Sequence, residues 1–133
     1  VSATGTGGTL RGISDYVKEK NPAVKVIAVE PTPDDKILTG IHNFTEVPDE
    51  RIPLNLKGKD GIFDDVLIAN PQTAFQAARD VAKTDGVLVG NSSGAALWGA
   101  TQIAQREEFA GKDIVVVFPD TGLRYLSTDL FNE

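Results

Sequence analysis

The stretch ATGTGGTLRG, residues 3–12, places four glycines among threonines directly before an amphipathic run. Glycine costs conformational entropy on folding, so a cluster of it indicates a tight turn or a close approach of a ligand to the backbone. The apolar residues Leu10, Ile13 and Val17 follow at helical spacing and predict a helix over 10–20 that ends before Pro22. The glycines are therefore predicted to lie at a helix N-terminus, where free N–H groups and the helix dipole favour anions.

Outward from this loop, strand-like and helical segments alternate. The runs at 24–30 and 66–69 are short, apolar and rich in β-branched residues, as buried parallel strands are. Two further strands are predicted over 86–90 (GVLVG) and 113–118 (DIVVVF). The passage 31–61 is rich in Pro, Asp and Gly and is expected to be irregular.

Two more helices complete the pattern. One has Asn70 as its N-cap, Pro71 at its first position and Gly86 just past its end, and the other is predicted over 95–106. Strands that alternate with helices predict an α/β fold, a three-layer domain with a parallel twisted sheet. We expect residues 1–133 to form one such domain.

Composition limits the classes of function. The 133 residues carry a net charge of −6, which opposes broad attraction to nucleic acid or to anionic membrane. The chain has no cysteine and one histidine, so neither a disulfide framework nor a metal site is expected. No apolar run approaches the ~20 residues that span a bilayer, and a cytoplasmic location is the default expectation.

Three loops are predicted at the carboxyl ends of strands, where parallel α/β sheets bind their ligands. They are GTGGT at 5–9, GNSSG at 90–94 and PDTG at 119–122. The first two open helices, so each offers unpaired N–H groups to a phosphate or to the polar edge of a ring. Each could also be only a turn.

The first loop by itself leaves alternatives open. Gly5 and Gly7 fit the start of a dinucleotide fingerprint, but Leu10 stands where its third glycine belongs. A nicotinamide-binding domain would use an acidic residue after the next strand, and Glu30 could serve. The Gly-Lys-Ser/Thr ending of a nucleotide-triphosphate loop is absent. A nest of N–H groups with the hydroxyls of Thr6 and Thr9 would instead suit one terminal phosphate.

The three motifs together, GTGGTLRG, GNSSGAA and PDTGLRYLST, resemble the carboxyl-terminal half of the cysteine synthases, also called O-acetylserine sulfhydrylases. Cystathionine β-synthases are close relatives of that family. The resemblance covers nearly the whole chain. It implies the tryptophan synthase β-like fold (fold type II), pyridoxal 5′-phosphate (PLP) as cofactor, and β-replacement on O-acetyl-L-serine by sulfide through an aminoacrylate. The products would be L-cysteine and acetate.

The resemblance also assigns residues. It implies that Ser92 bonds the pyridine nitrogen and that Pro119 and Asp120 lie beside the ring. A neutral hydroxyl at the ring nitrogen does not hold it protonated, which disfavours side reactions of the cofactor. The loop that binds the PLP phosphate would consist of Gly5, Thr6, Gly7, Gly8 and Thr9.

Part of the family pattern has no match here. The Schiff-base lysine of these enzymes lies in a Ser-x-x-Lys motif upstream of these loops, and none of the eight lysines has that context. The chain also contains no methionine, and no full strand precedes the glycine loop. We expect a fragment whose amino-terminal half is absent, with no catalytic lysine of its own and no activity alone. A non-catalytic module that kept only the anion-binding loop is a further alternative.

The region 37–53, ILTGIHNFTEVPDERIP, departs from the glycine-rich sequence of the better-known sulfhydrylases. The departure leaves open the choice among O-acetylserine, phosphoserine and serine, and hence between a cysteine synthase and a cystathionine β-synthase-like enzyme. The resemblance further implies a homodimer and, for some members, serine acetyltransferase as a partner.

Overall fold

A computed structural model describes residues 1–57 and 61–132. Its central element is a parallel three-stranded sheet in the order β1-β2-β3. The strands are β1 (Ser2–Ala3), β2 (Ile27–Pro31) and β3 (Asp65–Ala69), and the helices are α1 (Gly8–Lys20), α2 (Pro71–Asp85) and α3 (Asn91–Ala104). Short 3-10 turns lie at Asp49–Arg51, Glu107–Phe109 and Gly122–Tyr125.

The register of the sheet separates its two faces. Ala28 pairs with Val66, and the next pair along is Val29 with Leu67. Because side chains alternate along a strand, the first pair points to one face and the second to the other. The whole of β2 is buried, as expected for the central strand of a covered parallel sheet.

Each face has its own apolar cluster, so the domain has three layers. On one face, Leu10 of α1 packs with Ala28 and with side chains of the passage 44–62. On the other face, Val29 packs with Ala74 of α2 and Ala95 of α3. Gly94 lets α3 approach α2 closely, because a Cβ there would overlap the backbone of Ala74. The expected three-layer α/β architecture is confirmed.

The predicted helix boundaries are confirmed for α2 and shifted for the other two. Asn70 caps α2 by accepting a hydrogen bond from the Thr73 N–H at 3.0 Å, and Gly86 follows its end with a φ of 69°. Helix α1 begins two residues earlier than expected, at Gly8. Helix α3 begins at Asn91 rather than at residue 95, so the serines of GNSSG form its first turn instead of a loop before it.

Two predicted strands are wrong in this structure. Residues 113–118 add no strand to the sheet and form two backbone hydrogen bonds with Val1, whose N–H donates to Val115 O at 2.8 Å. Two bonds to one residue are not the repeated pattern of a β-ladder. Residues 86–90 form a single antiparallel bridge, between Val89 and Thr121. The strand predicted over 24–30 is real but lies at Ile27–Pro31.

Within the passage 31–61, Pro31 ends β2 and residues 32–57 are irregular, as predicted, apart from the turn at Asp49–Arg51. Its residues 58–60 lie outside the described residues. Within the described ranges, none of the helices has the length and apolar character needed to cross a lipid bilayer.

Candidate functional site

The glycine loop leaves the carboxyl end of β1. Thr4, which is buried, donates its N–H to Val29 O at 2.9 Å and continues the pairing with β2. Gly7 then adopts a φ of 82° and becomes the N-cap of α1. A residue with a Cβ would be strained there and would overlap the Leu56 side chain, so the turn requires glycine.

The first turn of α1 presents free backbone donors. The first hydrogen bond of the helix runs from Arg11 N to Gly7 O, and no side chain caps the N-terminus. The N–H groups before Arg11 therefore have no acceptor within the helix. Thr6 and Thr9, with hydroxyls beside these amides, are exposed. This arrangement suits a phosphate, which matches the predicted role of the loop.

Two segments of the irregular passage hold the glycine loop in place. His42 donates its backbone N–H to Thr4 O at 2.8 Å, and a Cβ on Gly5 would overlap the carbonyl oxygen of Gly40. On the other side, Asn55 Nδ2 donates to Thr6 O at 3.1 Å. These contacts were not predicted from the sequence. Gly40 is a sequence signal for them, because its φ of 87° is a conformation that glycine adopts readily.

The second predicted loop forms the N-terminus of α3. Gly90 is its N-cap, no side chain caps it, and the first helical hydrogen bond runs from Gly94 N to Gly90 O. Ser92 is half-buried in the first turn, and its hydroxyl forms no hydrogen bond with the described residues. Ser93 is fully buried and donates to Asp120 O at 3.4 Å. The serine predicted to contact a ligand is thus the one without a structural partner.

The third loop packs against the second. Tyr125 donates its hydroxyl to Asp120 Oδ2 at 2.7 Å. Burial, followed by the hydrogen bond to the Asp120 carboxylate, raises the pKa of Tyr125 to about 12, so the phenol stays protonated further into the alkaline range. Pro119, the other predicted residue of this loop, is exposed.

Two buried side-chain oxygens have no hydrogen-bond partner among the described residues, Asn91 Oδ1 and Asp120 Oδ1. Both belong to the α3 N-terminus or to the loop packed on it. Buried polar atoms are normally paired, so this end of the site has acceptor capacity for a polar ligand. The described residues thus offer free amide donors at the start of α1, which suit an anion, and a free hydroxyl and unpaired acceptor oxygens around the start of α3, which suit a polar group.

One segment links the two helix N-termini. Ile37 O accepts a long hydrogen bond from Asn91 Nδ2 at 3.5 Å, and Gly40 and His42 contact the glycine loop as described above. Leu38 and Ile41 of the same segment are buried in the cluster that contains Ala95 of α3. The segment 37–42 therefore joins the first and second predicted loops at the carboxyl end of the sheet.

Glu30 does not serve the site in the way that a nicotinamide-binding domain requires. It is fully buried at the end of β2. Its Oε2 accepts from Phe44 N at 2.8 Å, and its Oε1 accepts from Asn43 Nδ2 at 3.0 Å. Both carboxylate oxygens are used inside the protein, which leaves none for the hydroxyls of a ribose.

Comparison with known proteins agrees with this geometry. Residues 1–120 match the family described as pyridoxal-phosphate dependent enzyme. The chain is 39% identical to a cysteine synthase of Buchnera aphidicola and 38% identical to an O-acetylserine dependent cystathionine beta-synthase of Bacillus subtilis. The matches cover 100% and 98% of this chain but only 45% and 42% of those relatives.

A solved structure of cysteine synthase from Entamoeba histolytica superposes with a TM-score of 0.81 at 39% identity. The match covers 98% of this chain and 39% of that protein. The chain therefore spans less than half the length of these relatives. The resemblance to cysteine synthases inferred from the three motifs is confirmed, and the chain belongs to the family of pyridoxal-phosphate dependent enzymes.

Proposed function

We propose that this chain supplies the cofactor-binding half of a PLP-dependent cysteine synthase. The observation that carries the proposal is the pair of uncapped helix N-termini joined by the segment 37–42 at the carboxyl end of the sheet. One is preceded by a glycine loop that suits a phosphate, and the other presents an unpartnered serine. The identity to cysteine synthases along the whole chain supports the same reading.

In this proposal the amides of α1 and the hydroxyls of Thr6 and Thr9 bind the phosphate, with Gly5, Gly7 and Gly8 allowing its approach to the backbone. Ser92 bonds the ring nitrogen through a neutral hydroxyl, while Asp120 and Pro119 lie beside the ring. When bound, PLP supplies an electron sink for charge that develops at the α-carbon of an amino acid. The chain's own contribution is to bind and orient that ring.

The proposed reaction replaces the acetate of O-acetyl-L-serine by sulfide to give L-cysteine. A cystathionine beta-synthase-like reaction is the second candidate, because identity to the Bacillus subtilis protein is 38%, against 39% for the Buchnera enzyme. The two candidates differ in the sulfur nucleophile. Assays with sulfide and with homocysteine, each in the presence of O-acetyl-L-serine, separate them by which of the two is consumed.

The first experiment is an intact mass and a visible absorption spectrum of the purified protein. A mass above 14.2 kDa, with a cofactor band that shifts on addition of O-acetyl-L-serine, is the expected result. A mass equal to this chain and no such band would contradict the enzyme proposal and favour a non-catalytic anion-binding module. Ser92→Ala should perturb the band, whereas Ser127→Ala, on an exposed turn, should not.

We also propose that the Schiff-base lysine is not among residues 1–133, since no lysine of this chain stands in the family's Ser-x-x-Lys context. Lys18, for example, pairs with Asp64 at 2.7 Å. Borohydride reduction of the cofactor-loaded protein followed by peptide mapping tests this. A stoichiometric pyridoxyl group on a lysine of this chain would contradict it.

The resemblance further supports a cytoplasmic transferase that acts as a homodimer, with serine acetyltransferase as a partner of the full-length protein. Light scattering of the purified protein tests the dimer, and titration with serine acetyltransferase tests the partner. A monomer at micromolar concentration would contradict the first, and no change in mass on titration would contradict the second.

A further inference from the structure

The side chains of Asp120 and Tyr125 form a hydrogen-bonded pair that packs on the first residue of the α3 N-terminus. Tyr125 donates to Asp120 Oδ2 at 2.7 Å. A Cβ on Gly90 would overlap Asp120 Oδ1 and would lie 2.6 Å from Tyr125 Cε2. The pair therefore fills the space beside Gly90, and the N-cap of α3 can approach it only because glycine has no side chain.

Three further contacts attach the same loop to the same helix start. Val89 forms a bridge with Thr121, and Gly122 N donates to Leu88 O at 3.1 Å. Ser93 Oγ donates to Asp120 O at 3.4 Å. These contacts lie before and after Ser92 in the chain, so the position of the Asp120 loop determines where the first turn of α3 presents the Ser92 hydroxyl.

The backbone contacts would survive the loss of the phenol, but the Asp120 carboxylate would not keep its orientation. Asp120 Oδ1 is already without a partner among the described residues. If Tyr125 no longer donated to Oδ2, the carboxylate would be free to turn away from Gly90 toward another donor. The phenol thus supplies the contact that holds a side chain at the ring end of the site.

We propose that Tyr125 is a positioning residue, which holds Asp120 against Gly90 so that Ser92 and Asp120 meet the pyridine ring in a fixed arrangement. This inference rests on the proposed function, because it concerns the ring end of the proposed cofactor site. Tyr125 acts through Asp120, and no hydrogen bond joins its side chain to the glycine loop among the described residues.

The test separates the two ends of the site with three probes, PLP, pyridoxal and inorganic phosphate. Pyridoxal lacks the phosphate and reports the ring end, and inorganic phosphate, measured by competition, reports the glycine loop. Tyr125→Phe keeps the aromatic ring that packs on Gly90 and removes only the hydroxyl. The matched control is Tyr16→Phe, which removes the hydroxyl of an exposed tyrosine on α1.

We expect Tyr125→Phe to weaken the binding of pyridoxal and of PLP by about 5- to 10-fold, which is the effect of one lost hydrogen bond. The affinity for inorganic phosphate should change by less than about twofold. The emission spectrum of bound PLP should shift as well. Asp120→Asn keeps an acceptor for the phenol, so its affinity for pyridoxal and PLP should fall by less than that of Tyr125→Phe. Tyr16→Phe should match the unchanged protein in all three affinities.

Two outcomes would overturn the inference while leaving the proposed function intact. One is unchanged pyridoxal affinity and emission in Tyr125→Phe, and the other is an equal weakening of pyridoxal and inorganic phosphate, which indicates general loosening of the fold. Failure of the unchanged protein to bind PLP would overturn both the inference and the proposed function. The Tyr125→Phe variant thus tests the role of Tyr125, and the unchanged protein tests the proposed binding of PLP.

Discussion

Glu30 Oε2 accepts a hydrogen bond from the backbone N–H of Phe44 at 2.8 Å, and Glu30 is fully buried. The carboxylate also accepts from Thr45 N at 3.2 Å and from Asn43 Nδ2 at 3.0 Å. These contacts tie the end of β2 to the irregular passage just beyond His42. His42 in turn donates its backbone N–H to Thr4 O. The Glu30 carboxylate therefore stabilises the segment that holds the glycine loop in place.

The first prediction concerns this carboxylate. Glu30→Gln replaces one acceptor oxygen by an N–H₂ group, and hydrogen-bond donors face both oxygens, so at least one buried donor loses its partner. We expect the free energy of unfolding to fall by about 2–4 kcal/mol, measured by urea denaturation. Glu50→Gln, at an exposed position of the turn Asp49–Arg51, should change it by less than ~0.5 kcal/mol. Equal stability of the two variants would show that Glu30 does not anchor the passage.

The second prediction compares two glycines near the start of the chain. A Cβ at Gly5 would overlap Gly40 O, so Gly5→Ala should lower the free energy of unfolding by about 1–3 kcal/mol and weaken the binding of inorganic phosphate. A Cβ at Gly12, inside α1, would meet nothing within 4 Å, so Gly12→Ala should raise that free energy by about 0.5–1 kcal/mol. Unchanged phosphate binding in Gly5→Ala would contradict the proposed role of the loop.

The third prediction concerns the alkaline limb of stability. Burial and the hydrogen bond to Asp120 raise the pKa of Tyr125 from 10.0 to about 12. A raised folded-state pKa contributes stability that is fully present below pH 10 and lost as pH rises from 10 toward 12. The tyrosinate absorbance that Tyr125→Phe removes from the protein should titrate near pH 12. A midpoint near 10 would show that the phenol is neither buried nor bonded to Asp120 in solution.

The fourth prediction concerns the acid limb. Burial opposes ionisation of Asp64, but hydrogen bonds from Lys18 at 2.7 Å and from Val26 N at 2.8 Å outweigh it and lower the pKa of this carboxyl below 3.8. A lowered folded-state pKa contributes stability that is present above pH 3.8 and lost as pH falls through the folded value.

Asp64→Asn should therefore lower the urea midpoint at neutral pH and have a smaller effect well below pH 3.8. Asp34→Asn, at an exposed position, is the control and should leave the midpoint unchanged at both pH values. An Asp64→Asn effect of the same size at both pH values would contradict the electrostatic explanation.

Local chemistry made several elements predictable. Asn70, Pro71 and Gly86 marked α2 because capping and helix termination depend on residues close in sequence. The two outer strands were not predictable in the same way. The apolar runs at 86–90 and 113–118 indicate that these segments suit burial, but a strand also needs a partner, which a local pattern does not show; residues 86–90 form only the bridge from Val89 to Thr121.

The sequence by itself determined the α/β class, because helical and strand-like segments alternate along it, and the family, through the resemblance of its three motifs. The residues proposed to meet the cofactor come from that resemblance. Only the tertiary structure decided which residues support the proposed cofactor site. Glu30, Gly40 and Tyr125 act on partners that lie from five to 35 positions away, across segments with no periodic pattern. Such contacts depend on how the irregular passage and the last loop pack against the rest of the fold, and local propensity does not predict that packing.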